Sequence, residues 1–69
     1  MTQLTNEDKV AIINSHKRSV EYSKYNLELL ILEENAITSP DQTSLDSYNA
    51  QIIELENKLA VLDAEIASL

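Results

Sequence analysis

The feature that most constrains this chain is its lack of residues that interrupt regular structure. Glycine is absent from all 69 residues, and the one proline is Pro40. Tight turns and irregular loops depend on these residue types, whereas Leu, Ala, Glu, Lys, Gln and Ile, which are abundant here, favour helix. The sequence therefore predicts an all-α chain with a long helix on each side of Pro40.

The residues around Pro40 predict the turn between these helices. Ser39 offers a capping hydroxyl, and Pro40 suits the first position of a helix because its missing amide has no partner there. Gln42 completes a capping box with Ser39. Proline also disfavours the helical conformation of the residue before it, so helix 1 should end just before Ser39. At the other end of helix 1, Thr5 and Asp8 resemble a second capping box.

These signals set the boundaries of one helical hairpin. We expect helix 1 over residues 6–37, a turn at residues 38–39 and helix 2 over residues 40–68. A connection this short makes consecutive helices antiparallel neighbours. The predicted fold is an antiparallel two-helix coiled-coil hairpin that forms a single domain over residues 1–69.

Helix 2 carries one apolar stripe on a heptad rhythm. Its residues recur at alternating steps of three and four, which keeps one side facing a partner as two helices supercoil. The stripe consists of Leu45, Tyr48, Ile52, Leu55, Leu59, Leu62, Ile66 and Leu69. Because every position is apolar, it predicts a coiled-coil seam.

Helix 1 carries two stripes on nearly opposite sides. The first follows almost the whole helix, and we expect it to pack on helix 2. It contains Ile13, His16, Val20, Ser23, Leu27, Leu30 and Ile37, flanked by Val10 and Ile31. The second contains Tyr22, Tyr25, Leu29, Leu32 and Ala36. One partner helix cannot cover both sides, so the second stripe is the predicted interface with another protein or another copy.

Antiparallel stacking of the two seams also brings lysines of helix 1 near acids of helix 2. Lys24 should lie near Glu54 and Glu56, and Lys17 should lie near Asp63. Exposed ion pairs of this kind contribute little to stability, but they disfavour wrong registers.

The formal net charge of −7 limits the range of partners. Phosphate backbones attract Lys and Arg, so an acidic surface argues against direct nucleic-acid binding. Most of the excess acid lies in the second half, which leaves open that the chain imitates nucleic acid in the groove of a basic partner. The longest apolar run, residues 29–32, is far shorter than the ~20 residues of a membrane span, and residues 1–10 show no signal peptide. We expect a cytoplasmic protein without membrane contact.

The residue types also argue against catalysis, cofactors and metals. The chain has no cysteine, and His16 is its one histidine. No carboxylate lies three or four residues from His16, the helical spacing that bundle metal sites use. General acid–base catalysis needs a pocket that separates the pKa values of its groups, and two helices cannot enclose one. We predict no catalytic, cofactor or metal site, and a protein that is not an enzyme.

One part of the chain resembles known proteins. The run His16-Lys17-Arg18-Ser19-Val20-Glu21-Tyr22-Ser23-Lys24-Tyr25-Asn26-Leu27-Glu28, followed by Glu33-Glu34-Asn35-Ala36, resembles short uncharacterised α-helical proteins encoded by tailed bacteriophages. The resemblance covers about half the chain. It implies a small virion component or an accessory factor that acts on a host protein, located in the virion or the host cytoplasm, and it assigns no functional residues.

The small size of the chain makes partner helices the expected source of added stability. Below ~70–80 residues a lone core rarely supplies more than ~3–5 kcal/mol, and disulfides and metals are excluded here. We predict a structural or protein–protein interaction module that forms a homo-oligomer, such as a four-helix bundle, or packs into a larger assembly. The alternative is a phage-type inhibitor or adaptor that docks on a host protein through the second stripe of helix 1, or acts as an acidic mimic.

Overall fold

The computed structural model describes residues 3–69 as two long helices joined by a short connection. Helix α1 spans Asn6–Asn35 and helix α2 spans Gln42–Ser68, and no strand occurs in this described range. The two helices pack on each other in a rod of 57 × 19 × 15 Å. The predicted all-α hairpin is confirmed. Met1 and Thr2, which belong to the predicted domain of residues 1–69, lie outside the described residues.

Helix α1 begins with the capping box that the sequence predicts. The backbone amide of Asp8 donates to Thr5 Oγ1 at 3.0 Å, and the amide of Thr5 donates to Asp8 Oδ2 at 3.3 Å. Glu7 and Asp8 also place negative charge at the positive end of the helix dipole. The side-chain amide of Asn6 donates to the carbonyl of Leu69 at 3.4 Å, which joins the start of α1 to the end of α2.

The connection between the helices is longer than predicted. Helix α1 ends at Asn35 rather than at residue 37, and α2 begins at Gln42 rather than at residue 40. The amides of Ala36 and Ile37 donate to carbonyls three residues back, at 3.2 and 3.4 Å. This tighter bonding satisfies the carbonyls of Glu33 and Glu34 and ends the regular helix before the predicted boundary.

The cap of α2 also differs from the prediction. Asp41 is the N-cap: its Oδ1 accepts from the amide of Thr43 at 3.3 Å, and its Oδ2 accepts from the hydroxyl of Ser44 at 2.7 Å. The prediction of Ser39 as the cap, with Pro40 as the first helical residue, is therefore wrong. The carboxylate accepts the two bonds through separate oxygens, and its negative charge makes both bonds stronger than those to a neutral hydroxyl.

The two helices meet along a seam with a heptad rhythm on both sides. Leu27 of α1 and Leu45 of α2 are the most deeply covered apolar residues in the described range, at 8% and 9% exposed. Most of the predicted seam is buried or half-buried, at Ile13, Val20, Leu27, Leu30, Leu45, Tyr48, Ile52, Leu55, Leu59, Leu62 and Ile66. Leu69, the last residue of the predicted α2 stripe, is 36% exposed because it lies beyond the end of α2. On α1 the covered positions with heptad spacing are Val10, Ile13, Lys17, Val20, Lys24, Leu27, Ile31 and Glu34.

Three positions of the predicted α1 seam are wrong. His16 and Ser23 are exposed, and the covered positions belong instead to their neighbours Lys17 and Lys24. Lysine fits such a position because its long apolar stem covers the partner helix while its ammonium group stays at the rim. Ile37 is 51% exposed because it lies beyond the end of α1.

Two ion pairs mark the antiparallel register. Lys17 Nζ lies 2.6 Å from Asp63 Oδ1, and Lys24 Nζ lies 3.9 Å from Glu56 Oε2. Two of the three predicted pairings are confirmed, whereas no ion pair joins Lys24 to Glu54 among the residues that the structure describes. The hydrogen bond to Asp63, together with its negative charge, raises the pKa of Lys17 above its ordinary value of 10.5.

Candidate interaction surface

The predicted interface residues of α1 lie together on the side that faces away from α2. We call this surface the outer patch, and it consists of Tyr22, Tyr25, Leu29, Leu32 and Ala36. Tyr22 is 68% exposed, Tyr25 is 61% exposed and Leu32 is 65% exposed. Leu29 is exposed as well, and so is Ala36, the C-cap residue directly after α1. The patch repeats at steps of three and four, about half a helical turn away from the seam, so its residues stay exposed beside α2. Leu29 is the least exposed of its large side chains, at 37%.

Arg18 extends the outer patch toward the start of α1. Its guanidinium carbon lies 5.1 Å from the centroid of the Tyr22 ring, within the range of a cation–π contact. With Glu21, Tyr22 and Tyr25 it lines a shallow depression of about 240 Å³. The surface thus has an aromatic end with Arg18 stacked on it and an aliphatic end formed by leucines. Aromatic residues and arginine are enriched at protein interfaces.

Sequence reasoning missed several apolar residues that lie outside both the seam and the outer patch. Ile53 and Val61 of α2 and Ile12 of α1 are exposed. Val61 borders an open groove of about 630 Å³ between the helices, lined also by Ser15, His16, Ser19, Val20, Asn57, Lys58 and Leu62. Each of the three is next to a covered seam residue in the sequence. In a hydropathy pattern it therefore looks like part of the seam. Scattered exposed apolar residues are ordinary on protein surfaces.

Charge is distributed unequally between the two helices. Helix α1 has six carboxylates and four Lys or Arg side chains, whereas α2 has five carboxylates and one lysine. The acids of α2 are Asp46, Glu54, Glu56, Asp63 and Glu65, and its base is Lys58. The outer patch therefore belongs to the less acidic helix, and α2 carries a more acidic surface.

The described part of the chain offers little for other kinds of site. Within residues 3–69, no group of three or more His, Asp or Glu side chains is arranged to hold a metal ion. Neither helix contains a stretch both long and apolar enough to cross a membrane. His16 lies exposed at the edge of the groove beside Ser15 and Ser19.

Comparisons with known proteins add no relative. No protein-family model, no curated protein and no solved structure matches this chain. The resemblance of residues 16–28 and 33–36 to proteins of tailed bacteriophages therefore stays a prediction.

Proposed function

We propose that this chain is a non-catalytic helix-binding module that self-associates, or packs into a larger assembly, through the outer patch. The observation that carries the proposal is the run of large apolar side chains on the side of α1 that α2 leaves uncovered, formed by Tyr22, Tyr25, Leu29 and Leu32. Contiguous exposed apolar surface of this kind is typical of interaction sites. Tyrosine suits such a site because it combines a large apolar ring with a polar hydroxyl.

The thin core of the hairpin supports the same proposal. Among the described apolar residues, Leu27 and Leu45 are the ones that retain less than a tenth of their exposure. A small chain with so little deeply buried surface has a low free energy of unfolding, since the hydrophobic contribution scales with apolar area removed from water. Covering the outer patch adds to that area, so association stabilises the hairpin itself.

Substitution of Tyr25 and Leu29 by glutamate tests the proposal. The wild type should have a mass in solution that is a multiple of 7.8 kDa at micromolar concentration. The Tyr25→Glu/Leu29→Glu variant should have the mass of a monomer, because two buried carboxylates cannot be solvated in an apolar interface. Light scattering after size exclusion gives the mass, and circular dichroism should show that most of the helix content remains.

A matched control uses exposed apolar residues of α2. The Ile53→Glu/Val61→Glu variant adds the same charge outside the outer patch, and we expect it to remain assembled. A well-folded wild-type monomer at micromolar concentration rules out self-association. Outright unfolding of the Tyr25→Glu/Leu29→Glu variant contradicts the assignment of these residues to the outer side of α1.

The acidic surface of α2 favours a second candidate function. Five carboxylates against one lysine give α2 the charge of a nucleic-acid mimic, through which the chain would act as an inhibitor or adaptor of a basic partner. Binding of the chain to polylysine should then weaken steeply as salt is added, because the attraction is screened. Binding that is indifferent to salt excludes the mimic. With the phage resemblance, the two candidates correspond to a virion component and an accessory factor acting on a host protein.

A further inference from the structure

The outer patch and Arg18 together have the spacing of a second coiled-coil seam. Their positions recur along α1 at alternating steps of four and three, namely Arg18, Tyr22, Tyr25, Leu29, Leu32 and Ala36. All six are exposed. A stripe with this rhythm packs best on another helix that carries the same rhythm. A second copy of the chain provides such a helix.

We propose that two copies of this chain pair through α1 in antiparallel orientation, about a two-fold axis between Tyr25 and Leu29. This inference rests on the proposed self-association and specifies its geometry. Tyr25 of one copy packs on Leu29 of the second copy, and Tyr22 packs on Leu32. Each of the four layers then joins a large ring to a smaller aliphatic side chain, an alternation that fills space better than ring on ring. The two-fold interface closes after two copies and yields a four-helix assembly.

Charge complementarity distinguishes the antiparallel pair from a parallel one. In the antiparallel pair, Arg18 lies level with Ala36 of the second copy and next to its Glu33. The two-fold symmetry repeats this contact, so the dimer contains two Arg18–Glu33 contacts. In a parallel pair, Arg18 faces the same arginine of the second copy, and Glu28 lies across from Glu33. Like charges placed opposite each other disfavour that arrangement.

The antiparallel pair is also consistent with the large negative charge of the chain. It brings the two copies of Glu28 together near the axis, but these carboxylates are exposed, and water and salt screen their repulsion. Two attractive Arg18–Glu33 contacts oppose this single repulsive one. Pairing through α1 also leaves the two strongly acidic α2 helices on opposite outer sides of the assembly.

A charge exchange tests the proposed contact. Arg18→Glu and Glu33→Arg should each raise the dissociation constant of the dimer by about fivefold, and the double variant Arg18→Glu/Glu33→Arg should restore it to near the wild-type value. Sedimentation equilibrium measures these constants. The result for Glu33→Arg is the most telling, because this change lowers the net negative charge and would by itself favour association.

Rescue in the double variant separates the intermolecular contact from the stacking of Arg18 on Tyr22. Loss of that stacking would weaken the dimer without rescue by Glu33→Arg, a result that would overturn the proposed register. Glu54→Arg on α2 is the matched control, and it should not weaken the dimer. A monomeric wild type overturns both this inference and the proposed self-association. Dissociation by Tyr25→Glu/Leu29→Glu without rescue in the charge exchange overturns the register alone.

Cross-linking gives an independent measurement of orientation, since the chain has no natural cysteine. Asn26→Cys places a thiol near the proposed axis, so mild oxidation should yield a disulfide-linked dimer. Ser15→Cys places its two thiols roughly 36 Å apart along the helices in the antiparallel pair, calculated from a rise of about 1.5 Å per residue. It should not form the cross-link. Efficient cross-linking through Ser15→Cys would mean a parallel pair and would overturn the inference.

Discussion

The two helices of this hairpin distribute their apolar side chains in different ways. Helix α2 has one seam, and its covered positions are all apolar except Ser44 at its start. Helix α1 places Lys17, Lys24 and Glu34 at covered positions, and it places large apolar side chains such as Tyr22 and Leu32 on its outer side. The helix with the less apolar seam is thus the one with the more apolar exterior.

This difference is what the proposed association requires, since α1 would then have two neighbours and α2 one. A helix that served the hairpin alone would place its apolar residues toward α2 and its lysines toward water. In α1, charged groups at the seam make specific contacts instead: Lys17 pairs with Asp63, and Glu34 Oε1 accepts from the amide of Asp41 at 3.2 Å. Polar contacts in a seam specify register at some loss of stability. In the proposed assembly, burial of the outer patch offsets that loss of stability.

The largest effect should come from shortening an inward-facing leucine of α1. Leu27→Ala should lower the free energy of unfolding by about 2–3 kcal/mol, the lower part of the range for buried leucines, because the seam is one layer deep. Leu27 is 8% exposed, so nearly all of the side-chain surface that the substitution removes is packed against α2 or its own helix. Urea unfolding followed by circular dichroism at a chain concentration low enough to keep the protein monomeric measures the change.

Leu32→Ala provides the matched comparison on the outer side of the same helix. Leu32 is 65% exposed, so its truncation should change the unfolding free energy of the monomer by less than about 0.5 kcal/mol. At high concentration the same variant should weaken association. Equal destabilisation of the monomer by both variants would contradict the division of α1 into an inner and an outer side.

A smaller effect should distinguish the two possible caps of α2. Asp41→Ala should lower the unfolding free energy by about 1 kcal/mol, because the amide of Thr43 and the hydroxyl of Ser44 lose their acceptor. Ser39→Ala should have almost no effect. Thr5→Ala at the start of α1 should resemble Asp41→Ala and serves as the positive control. Thermal unfolding of the three variants checks the order, and a larger effect at Ser39 than at Asp41 would reverse the assignment.

The hairpin and the α2 seam could be predicted from the sequence because the residues that specify them are compatible with one structure only. The absence of glycine and the position of Pro40 leave a chain with few alternatives to two helices. In α2, the residues from Leu45 to Ile66 define one heptad frame. The outer patch was also visible, since its residues share one side of α1 whichever frame describes the seam.

The α1 seam was ambiguous because two heptad frames share Ile13, Val20 and Leu27. One frame adds His16 and Ser23, and the other adds Lys17 and Lys24. Hydropathy favours the first frame, since it counts lysine as wholly polar. The structure has the second, because lysine stems cover the partner helix and their charges lie within reach of acids on α2. The N-cap of α2 was ambiguous as well, because Ser39 and Asp41 are both suitable capping residues and lie two positions apart.

The smallest expected effect on the free energy of unfolding comes from the titration of Lys17, in the seam of α1. Its folded-state pKa is raised by the hydrogen bond to Asp63 and by the charges of Asp63 and Glu21. The folded state therefore binds this proton more tightly than the unfolded state does. The resulting stabilisation is fully present below the ordinary pKa of 10.5 and is lost as pH rises through the folded-state pKa. Stability should decline in that alkaline range.

Lys17→Arg isolates this contribution, because a guanidinium keeps its proton throughout the range and can still reach Asp63. Every other titratable group is present in both proteins, so its effect cancels in the difference. The unfolding free energies of the wild type and of Lys17→Arg should run parallel from pH 7 to pH ~10 and separate above it, with the wild type falling faster. Curves that stay parallel to the highest pH would show that the Lys17–Asp63 pair does not stabilise the seam in solution.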